Sequence, residues 1–176
     1  MTVADSRHLV LIGMMGVGKS TVGRSLARTL GRPFLDSDDA VEARTGRRVA
    51  DIFAEDGEAA FRAVEAEVMA ALLDDPRPSV IAAAGGSVLD ADTRERLRSA
   101  GTVVWLCAPV DVLVGRTARG AHRPALAEDR EGTLSRLDAE RSAIYAGLAD
   151  ARVDATAPVD AVVDAILALL AAEVDR

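Results

Sequence analysis

Gly13-Met14-Met15-Gly16-Val17-Gly18-Lys19-Ser20 follows the order Gly, four residues, Gly, Lys, Ser/Thr. Glycines at this spacing let successive backbone N–H groups turn inward around phosphate oxygens. A helix opening at the lysine adds the positive end of its dipole. Lys19 then reaches the β- and γ-phosphates, and the Ser20 hydroxyl offers a hard oxygen to Mg²⁺. The chemistry is nucleoside triphosphate binding and transfer of the terminal phosphate. Lys19 is the single lysine among 21 Lys plus Arg residues, so the chain uses a compact ammonium charge only in this loop.

Other polar groups follow in order. Asp36-Ser37-Asp38-Asp39 closes a short apolar stretch. Strand alternation would send Asp36 and Asp38 to one side if the strand extends that far. One carboxylate would then serve Mg²⁺ through water while the other takes a proton from a hydroxyl. The alternative is a helix cap with acidic residues in the first turn, for which Asp39 is the better fit. Arg62 and Glu65 sit three apart on a predicted helix, where spacing alone favours a solvated ion pair over an anion site. Ala84-Gly85-Gly86-Ser87 permits close backbone approach at a strand end. Arg116, Arg119 and Arg123 cluster in a segment that Pro124 keeps from regular helix, as a closing lid requires. Arg141 and Tyr145 are four apart, and His8 and His122 lack metal-ligand spacing.

The elements that must position these groups alternate between apolar runs and helical patterns, the signature of βαβ units. Strands are predicted at about 8–12, 34–35, 80–83, 102–107 and 152–155. Helices are predicted at about 19–30 with Gly31 as C-cap, 39–45, 49–56, 58–73, 91–99, from Pro109 onward, 129–148, and from Pro158 onward. The expected fold is α/β: a three-layer P-loop domain spanning 1–176, with a five-stranded parallel sheet flanked by helices. The lid is expected at about 116–128 and substrate-binding helices at about 37–73.

The whole chain is consistent with that reading. Its 176 residues suit one domain. Aromatic content of 3% leaves the core to Val, Leu, Ile and Ala. A net charge of −7 opposes nonspecific nucleic-acid binding. Cys107 is the one cysteine, expected as a small buried residue, and no apolar run reaches membrane-spanning length. The N-terminus has no signal-peptide pattern, so a cytoplasmic protein, with neither nucleic acid nor membrane as partner, is expected.

Taken in order, the motifs resemble the shikimate kinases, from about Leu9 to Ile166. They are the P-loop, Asp-x-Asp, Asp-Ile-Phe, Gly-Glu, Phe-Arg-x-x-Glu, the glycine cluster, Arg-Pro-x-Leu and Arg-x-x-x-Tyr. The resemblance implies ATP- and Mg²⁺-dependent conversion of shikimate to shikimate 3-phosphate by a monomer. By position, Gly16, Val17, Gly18, Lys19, Ser20, Thr21, Arg116 and Arg123 would bind ATP, and Ser20 and Asp36 (via water) would hold Mg²⁺. Asp38, Arg62, Gly85, Gly86 and Arg141 would bind shikimate, with Glu65 orienting Arg62. Lys19, Asp38 and Arg123 would be catalytic. Asp51-Ile52-Phe53 and Phe61 would line the acceptor pocket. A gluconate kinase would share the P-loop and lid, but the two arginine motifs suit a cyclic carboxylate. The family's first glycine after strand three is Ala84 here, a cost of about 1 kcal/mol or somewhat more if that position needs positive φ or close backbone approach.

Overall fold

The apolar run His8–Ile12 (β1) is buried along its whole length, as expected of a strand covered on both faces of a parallel sheet. In the computed structural model, which describes residues 7–118 and 129–174, β1 is the central strand. It is joined by β2 (Phe34–Asp36), β3 (Val80–Ala82), β4 (Gly101–Cys107) and β5 (Ala151–Asp154), in the order β2-β3-β1-β4-β5. All four pairings are parallel.

Seven helices flank the sheet among the described residues: α1 (Lys19–Leu30), α2 (Ser37–Thr45), α3 (Val49–Leu73), α4 (Ala91–Ala100), α5 (Val110–Ala118), α6 (Arg130–Leu148) and α7 (Val159–Val174). Gly31 and Gly46 close α1 and α2 in the left-handed conformation, so their amides cap the last carbonyls. The two helices expected on either side of Gly57 form one kinked element, α3, with non-helical backbone at that glycine.

The main core joins β1, β3 and β4 to the inner faces of α1, α6 and α7, with Leu9, Leu11, Leu26, Ile81, Leu106 and Leu134 essentially inaccessible. Truncating Leu11 or Leu106 to alanine removes contacts worth about 2–5 kcal/mol. A second cluster, Val41, Ile52, Phe61 and Val68, fastens α2 to α3.

Register places the functional segments together. Leu11 and Asp36 both pair with Ala82, so β1, β2 and β3 end at one level. The strand order reverses across β1, and ligands bind outside the carboxyl ends of strands at such a point.

Two expectations need correction. Arg116 to Ala118, assigned to an irregular lid, form the last turn of α5; the rest of that segment, including Arg119, His122, Arg123 and Pro124, lies outside the described residues. Cys107 is half-buried, because it ends β4, and its Sγ accepts a hydrogen bond from Arg152 Nε at 3.1 Å.

Candidate active site

The turn from β1 into α1 is built by glycine. Gly16 has φ 80°, and a Cβ there would lie 2.7 Å from Thr117 Cγ2, so both conformation and space exclude a side chain. Gly18 is the N-cap of α1 and makes no side-chain cap, which leaves first-turn amides to an anion. Lys19 Nζ donates to Gly13 O at 2.8 Å and Met14 O at 3.1 Å, which holds the ammonium over the loop. Ser20 Oγ donates to Asp36 Oδ2 at 2.6 Å, so the two expected Mg²⁺ groups are neighbours. Val17 is buried, while Gly16, Gly18 and Thr21 line the cavity beside Lys19 and Ser20.

Asp36, not Asp39, caps α2: its Oδ1 accepts from Asp38 N at 3.1 Å. The strand therefore ends at Asp36, and Asp38 is brought to the site by the first turn of the helix, not by strand alternation. Asp38 lines the cavity. Asp39 is 73% exposed and lies 4.0 Å from Arg24. Burial, together with the charge of Asp36, raises its pKa.

Arg62 and Glu65 are not a solvated pair. Arg62 Nη1 donates to Glu65 Oε2 at 2.7 Å, and the Glu65 side chain is only 3% exposed. Arg62 Nη2 reaches Glu58 at 3.2 Å, and the guanidinium lies 5.3 Å from the Phe61 ring centroid and 5.8 Å from that of Phe53. Burial opposes the Arg62 charge, but Glu65 and Glu58 outweigh it and hold its pKa above the ordinary arginine value. Burial raises the Glu65 pKa, and the Arg62 charge offsets only part of that. Nearby Asp38 adds to the rise, which places its carboxylate within electrostatic reach of this pair. Phe53 and Phe61 line the cavity as expected. Their neighbours do not: Ile52 is packed in the α2–α3 cluster and Asp51 pairs with Arg48.

The glycine turn after β3 faces this pair. Ala84 needs no positive φ, since every positive-φ residue among those described is glycine; the anticipated strain is absent. Its N–H donates to the buried Ser37 Oγ at 2.8 Å, and its carbonyl accepts from Ser87 N and Oγ. Gly86 lies directly against Arg62, and Gly85 against Arg141 and Tyr145. Arg141, on α6, is 5% exposed. Among the described residues, Arg62 Nε, Glu65 Oε1 and Arg141 Nε are buried without hydrogen-bond partners. Such a cluster of unsatisfied polar atoms suits a polar ligand.

Arg116 is anchored at the opposite end. Its Nη1 donates to Val17 O at 3.1 Å and its Nη2 to Ala155 O at 2.8 Å, tying the P-loop to the turn after β5. Ala155, Ala157, Val159 and Val162 continue that wall. The P-loop from Met15 to Ser20, Asp36, Asp38, Arg62, Glu65, Arg116 and Arg141 line one cavity of about 1340 Å³, with room for a nucleotide and a small acceptor together.

Ser37, Glu58 and Tyr145 take on contacts here that their motifs and spacing did not assign to them. Glu58 was visible as an i,i+4 partner of Arg62. Ser37 and Tyr145 act through distant backbone, for which a single sequence carries no signal.

A P-loop after the central strand of a 2-3-1-4-5 parallel sheet, with an acidic strand end beside it and an arginine-lined pocket opposite, defines a P-loop kinase of the nucleoside-monophosphate-kinase-like group. The family model described as SKI: Shikimate kinase matches residues 15–171. A shikimate kinase of Paramagnetospirillum magneticum is 49% identical over 151 residues, covering 85% of this chain and 76% of that protein. One from Symbiobacterium thermophilum is 49% identical over 150 residues, covering 83% and 85%. The structure of shikimate kinase from Acinetobacter baumannii in complex with shikimate superposes with a TM-score of 0.92 at 36% identity, over 97% of this chain and 96% of that one. The chain belongs to the shikimate kinase family.

Proposed function

We propose that this protein transfers the γ-phosphoryl group of ATP to a hydroxyl of shikimate, giving ADP and shikimate 3-phosphate. The observation that carries this reading is one cavity with two unlike ends. One end has the P-loop with Lys19; the other has the buried Arg62–Glu65 pair, Arg141 and Asp38. A triphosphate fits the first, and a compact anion with hydroxyls fits the second.

The backbone of Gly16, Val17, Gly18, Ser20 and Thr21 holds the phosphates, and Arg116 borders the adenine. Arg62 and Arg141 clamp the shikimate carboxylate, each charge-assisted hydrogen bond contributing about 1.5–3 kcal/mol. Glu65 sets the Arg62 fork, and the Gly85 and Gly86 backbone approaches the acceptor ring. Asp38 takes the proton of the attacking hydroxyl as the new O–P bond forms and the bond to ADP breaks. Lys19 neutralises charge on the transferring group and the departing phosphate. Arg123, which lies outside the described residues, is assigned the same role.

Ser20 Oγ and Asp36 Oδ2, 2.6 Å apart at the mouth of α1, form a hard-oxygen pair that fits Mg²⁺ bound partly through water. Mg²⁺ there would neutralise phosphate oxygens that the loop alone leaves charged. No described helix is long and apolar enough to cross a membrane. A monomer working in the ATP-supplied cytoplasm is the setting we assign.

The test is ADP release with ATP and Mg²⁺ and either shikimate, gluconate or no acceptor. Turnover with shikimate alone is expected. Turnover with gluconate and none with shikimate would overturn the acceptor assignment. ATP binding without turnover on any acceptor would overturn the enzyme assignment.

A further inference from the structure

Tyr145 is fully buried beneath the acceptor end of the cavity. Its ring packs on Trp105, with centroids 5.8 Å apart, a task phenylalanine would perform equally well. The hydroxyl does something else. It donates to the Gly85 carbonyl at 2.7 Å. Arg141, one turn earlier on α6, comes to the same place: a Cβ on Gly85 would stand 3.3 Å from the hydroxyl and 3.4 Å from Arg141 Nη1. The same oxygen lies 4.0 Å from Met14 Sδ in the P-loop. Gly85 in turn lies close against the Gly13 carbonyl, where even a Cβ would stand only 3.2 Å away. One hydroxyl therefore meets the P-loop, the glycine turn and α6.

Burial pushes the phenol pKa up to about 12, so the O–H stays a donor throughout the working pH range. Arg141 carries donors only, and the phenol oxygen beside it offers a lone pair. Arg141 is nearly inaccessible and its Nε has no hydrogen-bond partner among the described residues, so water cannot set its orientation. An arginine fork binds a carboxylate well only when its plane meets the two oxygens in register.

We propose that Tyr145 is a positioning residue for the acceptor's carboxylate, its hydroxyl holding the Gly85 carbonyl and bracing the Arg141 fork that lies against the same glycine. This rests on the shikimate reading of the site. Removing the hydroxyl takes the donor from the half-buried Gly85 carbonyl and lets the fork rotate, while the P-loop keeps its own contacts. The effect should therefore fall on recognition of the carboxylate and not on ATP.

The test compares the full chain with Tyr145→Phe, using ATP with either shikimate or its primary amide, which lacks the carboxylate charge. Quenching of Trp105, the only tryptophan, gives shikimate affinity independently of turnover. For Tyr145→Phe, KM and Kd for shikimate should rise about ten-fold, as expected for a hydrogen bond to a charged group. KM for the amide and for ATP should stay within about two-fold of the parent chain. Equal losses with acid and amide, or an equal rise in KM for ATP, would reduce Tyr145 to a packing residue and overturn the proposal. So would unchanged shikimate kinetics. A parent chain that turns over no shikimate would overturn the reading of the site itself. If Tyr145→Phe fails to fold, 4-fluorophenylalanine at position 145, which fills the same space without an O–H, must give the same split between acid and amide; equal losses there overturn the proposal as well.

Discussion

Gly86 has φ −93° and ψ −14°, a conformation open to any L residue, so glycine is required there only if something occupies the space of a Cβ. Arg62 does. An added Cβ would lie 2.5 Å from its Nη2 and 2.6 Å from its Cζ, and closer still to Nη1. An ordinary contact is about 3.5 Å, so Gly86→Ala must push the guanidinium roughly 1 Å. Arg62 cannot yield freely, because Glu65 holds it at 2.7 Å and two phenyl rings pack against it. Misplacing a bidentate fork by that distance forfeits one charge-assisted hydrogen bond, about 1.5–3 kcal/mol, which is about a 10- to 100-fold rise in KM for shikimate. Stability should barely change. Alanine restricts the unfolded chain by about 0.4–1 kcal/mol, against a comparable loss in the shifted ion pair. Initial rates of ADP release, with each substrate varied at saturating levels of the other, separate the two constants, and thermal unfolding reports the fold. A shikimate KM within about two-fold of the parent chain would refute the steric argument. So would an equal rise in the KM for ATP.

Lys19→Ala should lower kcat by about 10²–10³, because a preorganised charge beside the transferring group is lost; kcat within a factor of two would contradict its role, and stopped ADP release is the readout. Ser37→Ala strips the half-buried Ala84 N–H of its acceptor, so denaturant unfolding should show a loss of about 1 kcal/mol; no change in the midpoint would mean that the glycine turn is held otherwise. Asp90 caps α4 by accepting from Thr93 N at 2.7 Å, and that hydrogen bond lowers its pKa. Asp90→Ala should cost about 1 kcal/mol at neutral pH. Because the folded-state pKa is the lower one, the contribution is complete above the ordinary aspartate pKa and is lost as pH falls through the depressed value. The parent and variant unfolding curves should thus converge in acid; a difference that grows in acid would overturn the assignment.

Much of this protein is legible without coordinates, and for a local reason. The glycine-lysine-serine spacing, the apolar run before it and the helical period after it all act within a few residues, so β1, the P-loop and α1 follow from chain chemistry alone. Gly31 and Gly46 likewise terminate helices through their own backbone freedom. The acceptor end is different. Whether Arg62 and Glu65 form a buried pair or a solvated one depends on α2, α3 and the glycine turn closing over them, which i,i+3 spacing does not contain. The cap of α2 moved from Asp39 to Asp36 because β2 ends at the level where it pairs with Ala82, a constraint set by the neighbouring strand. The strain expected at Ala84 vanished for a related reason: its amide is turned toward Ser37, 47 residues away, and no positive φ is needed. Local chemistry determined the P-loop, a turn that fits a triphosphate. The fold alone decided which charges face that loop across the cavity, because burial and hydrogen bonding between distant segments set both where a side chain points and what its charge costs.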